Sequence, residues 1–257
     1  MRRLLRILPY VLLPVLTVLL LGASSVYQGS KPCTRVAIEI EQPDEHMLVD
    51  AAEVRRLLGP EQNLIGAPVA EVQLASIEQR LMTSSFIRQA DAWFDAQGAL
   101  NVRIGLRKPI ARILTHEGKS FYIDEEGHPM RLSSTYSARC ILVRGAFRQS
   151  SMLAHTVADS SLRAMVPLLQ QLYKHPVLAG QIAEVVQEPD GTVTLYPEVG
   201  SLVVHFGPVE RVSEKLAHLM EFYQQVLPRV GNAYYRSVSV AYSGQIVAKR
   251  TNHLNIN

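Results

Sequence analysis

The chain has 257 residues, 47% of them hydrophobic, and its 26 Lys and Arg against 23 Asp and Glu leave a net charge of +3. Part of that charge sits in the N-terminal arginines, so the body is close to neutral, and nothing in it points to nucleic acid as a partner. Two cysteines, Cys33 and Cys140, are read either as a pair formed in an oxidising compartment or as two buried small hydrophobes.

Leu4 to Ala23 carries no charge after Arg6, and a membrane-spanning helix needs about 20 mostly apolar residues. Residues 1–6 are expected as a cytoplasmic tail and 7–23 as a single transmembrane helix. Arg2, Arg3 and Arg6 precede the apolar run and no Lys or Arg follows until Lys31. That asymmetry keeps the N-terminus in the cytoplasm and places the body on the periplasmic, extracytoplasmic side of the cytoplasmic membrane. A cleaved signal peptide is the competing reading, because Gly22-Ala23-Ser24-Ser25 supplies small residues after the run. Against it, the run from Ile7 is longer than the ~7–15 residues of such a segment.

After a linker at 24–33, a first module is expected over 34–108. Val36, Ile38 and Ile40 alternate with Ala37, Glu39 and Glu41, the period of a half-buried strand. Asp50 with Glu53 has the layout of a capping box, opening a helix whose Val54, Leu57 and Leu58 share a face before Gly59-Pro60 stops it. A second helix is predicted from Pro68 to Thr83, with Leu74, Ile77 and Leu81 at helical spacing. Strands over Ile87–Phe94 and Ala99–Arg107 flank the turn residues Asp95 to Gly98. The order strand, helix, helix, strand, strand describes an α+β module with its helices on one face of a small sheet.

The pattern changes at Pro109, and a second, mixed-sheet β domain with two helices is expected over 109–250, followed by a tail at 251–257. Short strands are predicted at Ile110–Leu114 and Ser120–Ile123, the latter running into the turn Asp124-Glu125-Glu126-Gly127. No element is assigned over 134–158. A helix follows over Ser160–Tyr173, then strands at Ile182–Gln187, Thr192–Tyr196 and Ser201–Phe206. Pro208 is expected to open a helix that runs to Leu227 and ends at Pro228. Arg236–Tyr242 and Gln245–Arg250 close the chain as strands around Ser243-Gly244.

These words, in this order, resemble the FtsQ/DivIB family of bacterial cell-division proteins. Arg107-Lys108-Pro109-Ile110-Ala111 is similar to the family's R-x-P-x-A exit from a POTRA module, and Tyr122-Ile123-Asp124 through Gly127 to its Y-(I/V)-D-x-x-G start of a β domain. Gly200–Lys215 resembles a family strand ending in Gly before a helix with E-K-L, and Val238–Lys249 its last strand. Where the family commonly has D-L-R-Y, this chain has Ser239-Val240-Ala241-Tyr242. The resemblance implies one membrane helix, a POTRA domain, a β domain, no enzymatic activity and no cofactor. The partners it implies are small coiled-coil division proteins of the FtsB/DivIC and FtsL type.

Catalytic and metal signatures are missing from the sequence. The eight histidines have no H-x-x-x-H or H-E-x-x-H spacing, and there is no G-x-S-x-G elbow and no Gly-rich phosphate loop. Adjacent Asp124, Glu125 and Glu126 read as a solvated turn, and Arg103 and Arg107 as either solubility devices or contacts for an acidic partner. The expected function is a scaffold that recruits other membrane-anchored septal proteins by adding a partner strand to the open edge of its last strand. The residues expected to carry it are Val238, Ser239, Val240, Ala241, Tyr242, Gln245 and Val247. The rivals are an exported cell-wall enzyme with an unrecognised site and a POTRA-type module for envelope protein assembly.

Overall fold

A computed structural model of the protein describes residues 30–41, 51–60, 64–133, 136–148 and 156–251. The transmembrane helix expected at 7–23, the cytoplasmic tail, Asp50 of the expected capping box and residues 252–257 lie outside the described residues. Among those described, no helix is long and apolar enough to cross a membrane. The chain divides into two units between Leu106 and Arg107.

The first unit runs β1 (Arg35–Glu41), α1 (Ala51–Leu58), α2 (Leu74–Leu81), β2 (Ile87–Phe94) and β3 (Ala99–Leu106). Its sheet has the order β1-β3-β2, with β1 parallel and β2 antiparallel to the central strand. Alternation decides the faces: Leu100, Val102 and Ile104 of β3 are buried, as are Val54 and Leu58 of α1 and Ile77 and Leu81 of α2. The β2–β3 hairpin closes because Asp95 Oδ1 accepts the backbone N–H groups of Gln97 and Ala99, each at 2.9 Å. Gly98 stands there at φ +80°, and a Cβ on it would lie 2.9 Å from the Pro32 carbonyl oxygen.

The helix predicted from Pro68 to Thr83 is in fact two pieces, a 3-10 turn at Val69–Glu71 and α2. The backbone before α2 is committed elsewhere: Cys33 N–H donates to Ala67 O, Val69 N–H donates to Lys31 O, and Pro32 and Pro68 form a bridge. Val72 is therefore extended, at φ −78° and ψ 115°, and the helix restarts after Gln73.

The second unit contains β4 (Pro109–Leu114), β5 (Ser120–Asp124), β6 (Pro129–Met130), β7 (Ile141–Arg144), α3 (Ser160–Lys174), α4 (Leu178–Gln181) and β8 (Ile182–Gln187). It continues with β9 (Val193–Pro197), β10 (Val203–Gly207), α5 (Val212–Glu221), α6 (Leu227–Val230), β11 (Tyr235–Ser239) and β12 (Val247–Arg250). All of its strands join one mixed sheet of nine, ordered β12-β11-β10-β9-β8-β7-β4-β5-β6. The pairs β4–β7, β7–β8 and β10–β11 are parallel, which requires crossovers, and α5 with α6 supplies the last. Leu162, Met165, Leu169 and Leu172 of α3 and Leu216 and Leu219 of α5 form one buried cluster with Ile113, Val143, Val185, Leu195, Val204 and Val238 of the sheet. The α+β class and mixed sheet are as expected from the sequence.

Three expectations are corrected in this unit. β7 lies within 134–158, where no element was assigned, and it is an interior strand flanked by β4 and β8. The helix after β10 begins at Val212 rather than Pro208, because the carbonyl of Pro208 accepts the Lys215 ammonium at 2.7 Å and Arg211 turns left-handed at φ 48°. Pro228 does not end it: a π turn at Phe222–Val226 leads into α6, whose first turn accommodates that proline.

Candidate protein-binding edge

β12 ends the nine-stranded sheet, with β11 on its inner side and no strand beyond it among the described residues. Its residues pair antiparallel to β11, Val247 with Ser239, Ala248 with Val238 and Lys249 with Ser237. Thr251 N–H donates to Tyr234 O at 3.0 Å. Counting back from it by twos, Lys249 and Val247 also turn their backbone groups toward β11, so the N–H groups of Ala248 and Arg250 face outward. An outward row of this kind accepts another strand. The opposite end of the sheet is β6, only two residues long and beginning with proline, and a proline has no donor to offer.

The expected site residues separate into two groups. Val238 and Val240 are 0% exposed and belong to the core; Val240 N–H donates to His205 O at 3.1 Å, inside the sheet. The expectation that the stretch ending at Tyr242 is the open edge is thus corrected: β11 is interior, parallel to β10, and β12 covers its other side. Ser239 and Ala241 are half-buried, and Ala241 accepts the Arg211 guanidinium at 3.3 Å. Tyr242 is 56% and Val247 49% exposed, and Gln245 is exposed too. Val247 belongs to the edge strand with Ala248, Lys249 and Arg250, while Tyr242 and Gln245 lie in the connection that leads into it. Ala248, Lys249 and Arg250 lie in the strand expected over Gln245–Arg250 but were not among the expected contact residues, because the sequence pattern does not say which of the two closing strands is outermost.

The other candidate residues have structural partners. Arg103 pairs with Glu39 at 3.2 Å and Glu41 at 3.6 Å and lies 5.1 Å from the centre of the Trp93 ring. Arg107 pairs with Asp124 at 2.7 Å, and Asp124 is only 3% exposed, so the turn read as fully solvated has one buried acid. Asp124 Oδ1 also accepts the backbone N–H groups of Glu126 at 2.9 Å and His128 at 2.8 Å. Asp124, Glu126 and His128 bring ligand atoms within 4.8 Å of one another, but the Arg107 guanidinium already supplies the positive charge that a cation would bring. Both cysteines are free thiols, and burial pushes the Cys140 thiol up to about 12. A groove of about 510 Å³ in the second unit is lined by Val199, Leu202, Met220, Tyr223 and Leu227 among others. Burial raises the pKa of Tyr223 there, and its hydroxyl has no hydrogen-bond partner; no catalytic pair accompanies it among the lining residues.

The family model for FtsQ/DivIB, C-terminal related, matches residues 108–249, more than half of the chain. A POTRA-like domain model matches residues 31–105. No curated protein matches the chain closely.

Proposed function

Given that the chain belongs to the FtsQ/DivIB C-terminal related family, we propose that this cell-division protein is a non-enzymatic scaffold of the septum, docking other membrane-anchored division proteins at β12. The observation that carries the proposal is the terminal position of β12, with the N–H groups of Ala248 and Arg250 facing away from β11. A partner segment adding there as a further strand takes its affinity from backbone hydrogen bonds and its selection from the side chains beside it. Tyr242, Gln245 and Val247 offer an exposed aromatic, an amide and an apolar contact, while Lys249 and Arg250 favour an acidic partner strand.

The partners in this proposal are small coiled-coil proteins of the FtsB/DivIC and FtsL type. The chain is held in the cytoplasmic membrane by the apolar run at 7–23, N-terminus inside, with both units outside. Arg2, Arg3 and Arg6 before that run support the orientation. A reporter active only outside the cytoplasm, fused after Asn257, is then active, and an inactive one sinks the topology.

The binding reading is tested with the full-length chain purified from membranes. Ala248→Pro removes one outward donor and leaves the inward ladder to β11 intact, so the protein folds and loses its coiled-coil partners. Undiminished co-purification with this variant would rule out strand addition at β12.

A further inference from the structure

Arg211 is the one non-glycine residue with positive φ among the described residues, at 48°. L side chains rarely adopt that conformation without something to hold them in it. The surroundings supply the hold. Lys215 N–H donates to Arg211 O at 3.0 Å, which begins α5. The Lys215 side chain is 1% exposed, its ammonium donates to Pro208 O at 2.7 Å and it lies 4.9 Å from the centre of the Phe206 ring. The turn from β10 into α5 is thereby locked from beneath by a buried cation.

What the locked turn does is visible in where Arg211 reaches. One guanidinium nitrogen donates to Ala241 O at 3.3 Å and another to Glu214 Oε1 at 3.3 Å, and the same Glu214 oxygen accepts Ser243 Oγ–H at 3.5 Å. Ala241 and Ser243 belong to the connection between β11 and β12. That connection lies directly on the end of β10: a Cβ on Gly207, which stands at φ +74°, would come within 2.7 Å of the Ala241 Cβ. No strand flanks β12 on its outer side among the described residues. It is held at its far end by Arg250 over the Tyr234 ring and by the Thr251 hydrogen bonds to Ala233 O and Tyr234 O. Along its length it is held by the ladder to β11 and the packing of Ala248 on the core, and at its near end by this connection.

We propose that Arg211 and Glu214 are positioning residues for the edge: they clamp the 240–246 connection against the β10–α5 turn and so keep β12 seated on β11 with its outer donors presented. The inference rests on β12 being the partner edge, but its first test does not. Amide hydrogen exchange is measured on the full-length chain without partners, for Arg211→Ala, Arg211→Gly and Arg211→Lys. Glycine accepts the left-handed backbone freely, so Arg211→Gly removes the guanidinium without adding strain and stays folded even where Arg211→Ala does not. In Arg211→Gly the β12 amides that donate to β11 exchange roughly tenfold faster, the loss of charge-assisted hydrogen bonds at one end of the strand. The slow amides of α3 keep their native rates, and Arg211→Lys, with one donor left, recovers part of the protection. Native rates in β12 for Arg211→Gly would overturn the clamp, and so would equal acceleration in α3, which would mean a global loss of stability.

Partner retention then separates the clamp from the edge. If Ala248→Pro abolishes retention and Arg211→Gly lowers it at least several-fold, the clamp positions the edge for binding. If Ala248→Pro abolishes retention while Arg211→Gly leaves it native, the clamp is overturned as a binding determinant. If Ala248→Pro leaves retention native, the edge reading itself fails, and the exchange rates alone decide the clamp.

Discussion

The two units close the ends of their elements in opposite ways. In the three-stranded sheet one of the two outer strands, β2, is blunted, because Glu78 of α2 accepts the Ala92 N–H at 2.9 Å. The helix carrying that glutamate has no side-chain cap at Gln73. In the nine-stranded sheet the arrangement is reversed. Asp159 caps α3, accepting the N–H groups of Ser161 at 3.0 Å and Leu162 at 3.2 Å, while β12 is left with its outer donors facing away from the sheet. Exposed edges invite unwanted pairing and are normally covered or blunted. A carboxylate thus blunts one edge of the small sheet, whereas the outer side of β12 is the edge proposed above for docking.

The largest expected effect tests whether β11 is interior. Val240→Pro removes the donor to His205 O and disturbs a fully buried position, so it destabilises the second unit by about 3 kcal/mol or more, read as a shift in its urea midpoint. A near-native midpoint would mean that the continuation of β11 is peripheral after all. Next in size is Glu78→Ala, which strands the Ala92 donor at an edge. It costs about 1–3 kcal/mol and promotes self-association of the chain, seen by sedimentation. If the variant stays monomeric with native stability, the blunting of β2 has no function.

Asp159→Ala follows, at about 1–2 kcal/mol for a lost N-cap. Burial works against the Asp159 carboxylate, but hydrogen bonds from Ser161, Leu162 and Arg148 outweigh it and hold its pKa below 3.8. With the folded value below the unfolded one, the contribution of the carboxylate is complete above about pH 5 and is lost as pH falls through the folded value. The gap in stability between the native protein and Asp159→Ala is therefore constant near neutrality and shrinks progressively as pH falls below about 5. A gap that widens in acid would contradict the hydrogen-bonded cap. The smallest effect on folding belongs to Ala248→Pro, within about 0.5 kcal/mol of native, in contrast to its expected loss of partners.

The same contrast explains what was legible in the sequence. The first unit reads well because β3 alternates between a buried and an exposed face and its hairpin has Asp95 and Gly98 at the turn. β7 did not, since an interior strand with parallel neighbours on both sides needs no long alternation, and Ile141-Leu142-Val143 is a short apolar run without a period. Pro208 and Pro228 misled for a shared reason: proline limits which backbone states are allowed without saying which is taken. The buried Lys215 bond to Pro208 O and the π turn at Phe222–Val226 decided the matter through tertiary contacts. At the edge, the strand expected over Arg236–Tyr242 is present as Tyr235–Ser239 and stops before Val240 and Tyr242, and periodicity does not reveal which strand lies next to which. That required the β10–β11 parallel pairing, which is made through a crossover.

The strand order of the large sheet also sets a timetable. β10 pairs with β11 and β11 with β12, so the sheet grows toward its open side in the order in which the ribosome delivers the chain. Domains form from the N-terminal side during synthesis, and β12 is the last strand to emerge. The surface proposed for docking therefore does not exist until every other strand of the sheet has been made, and a truncated or stalled chain presents no completed edge.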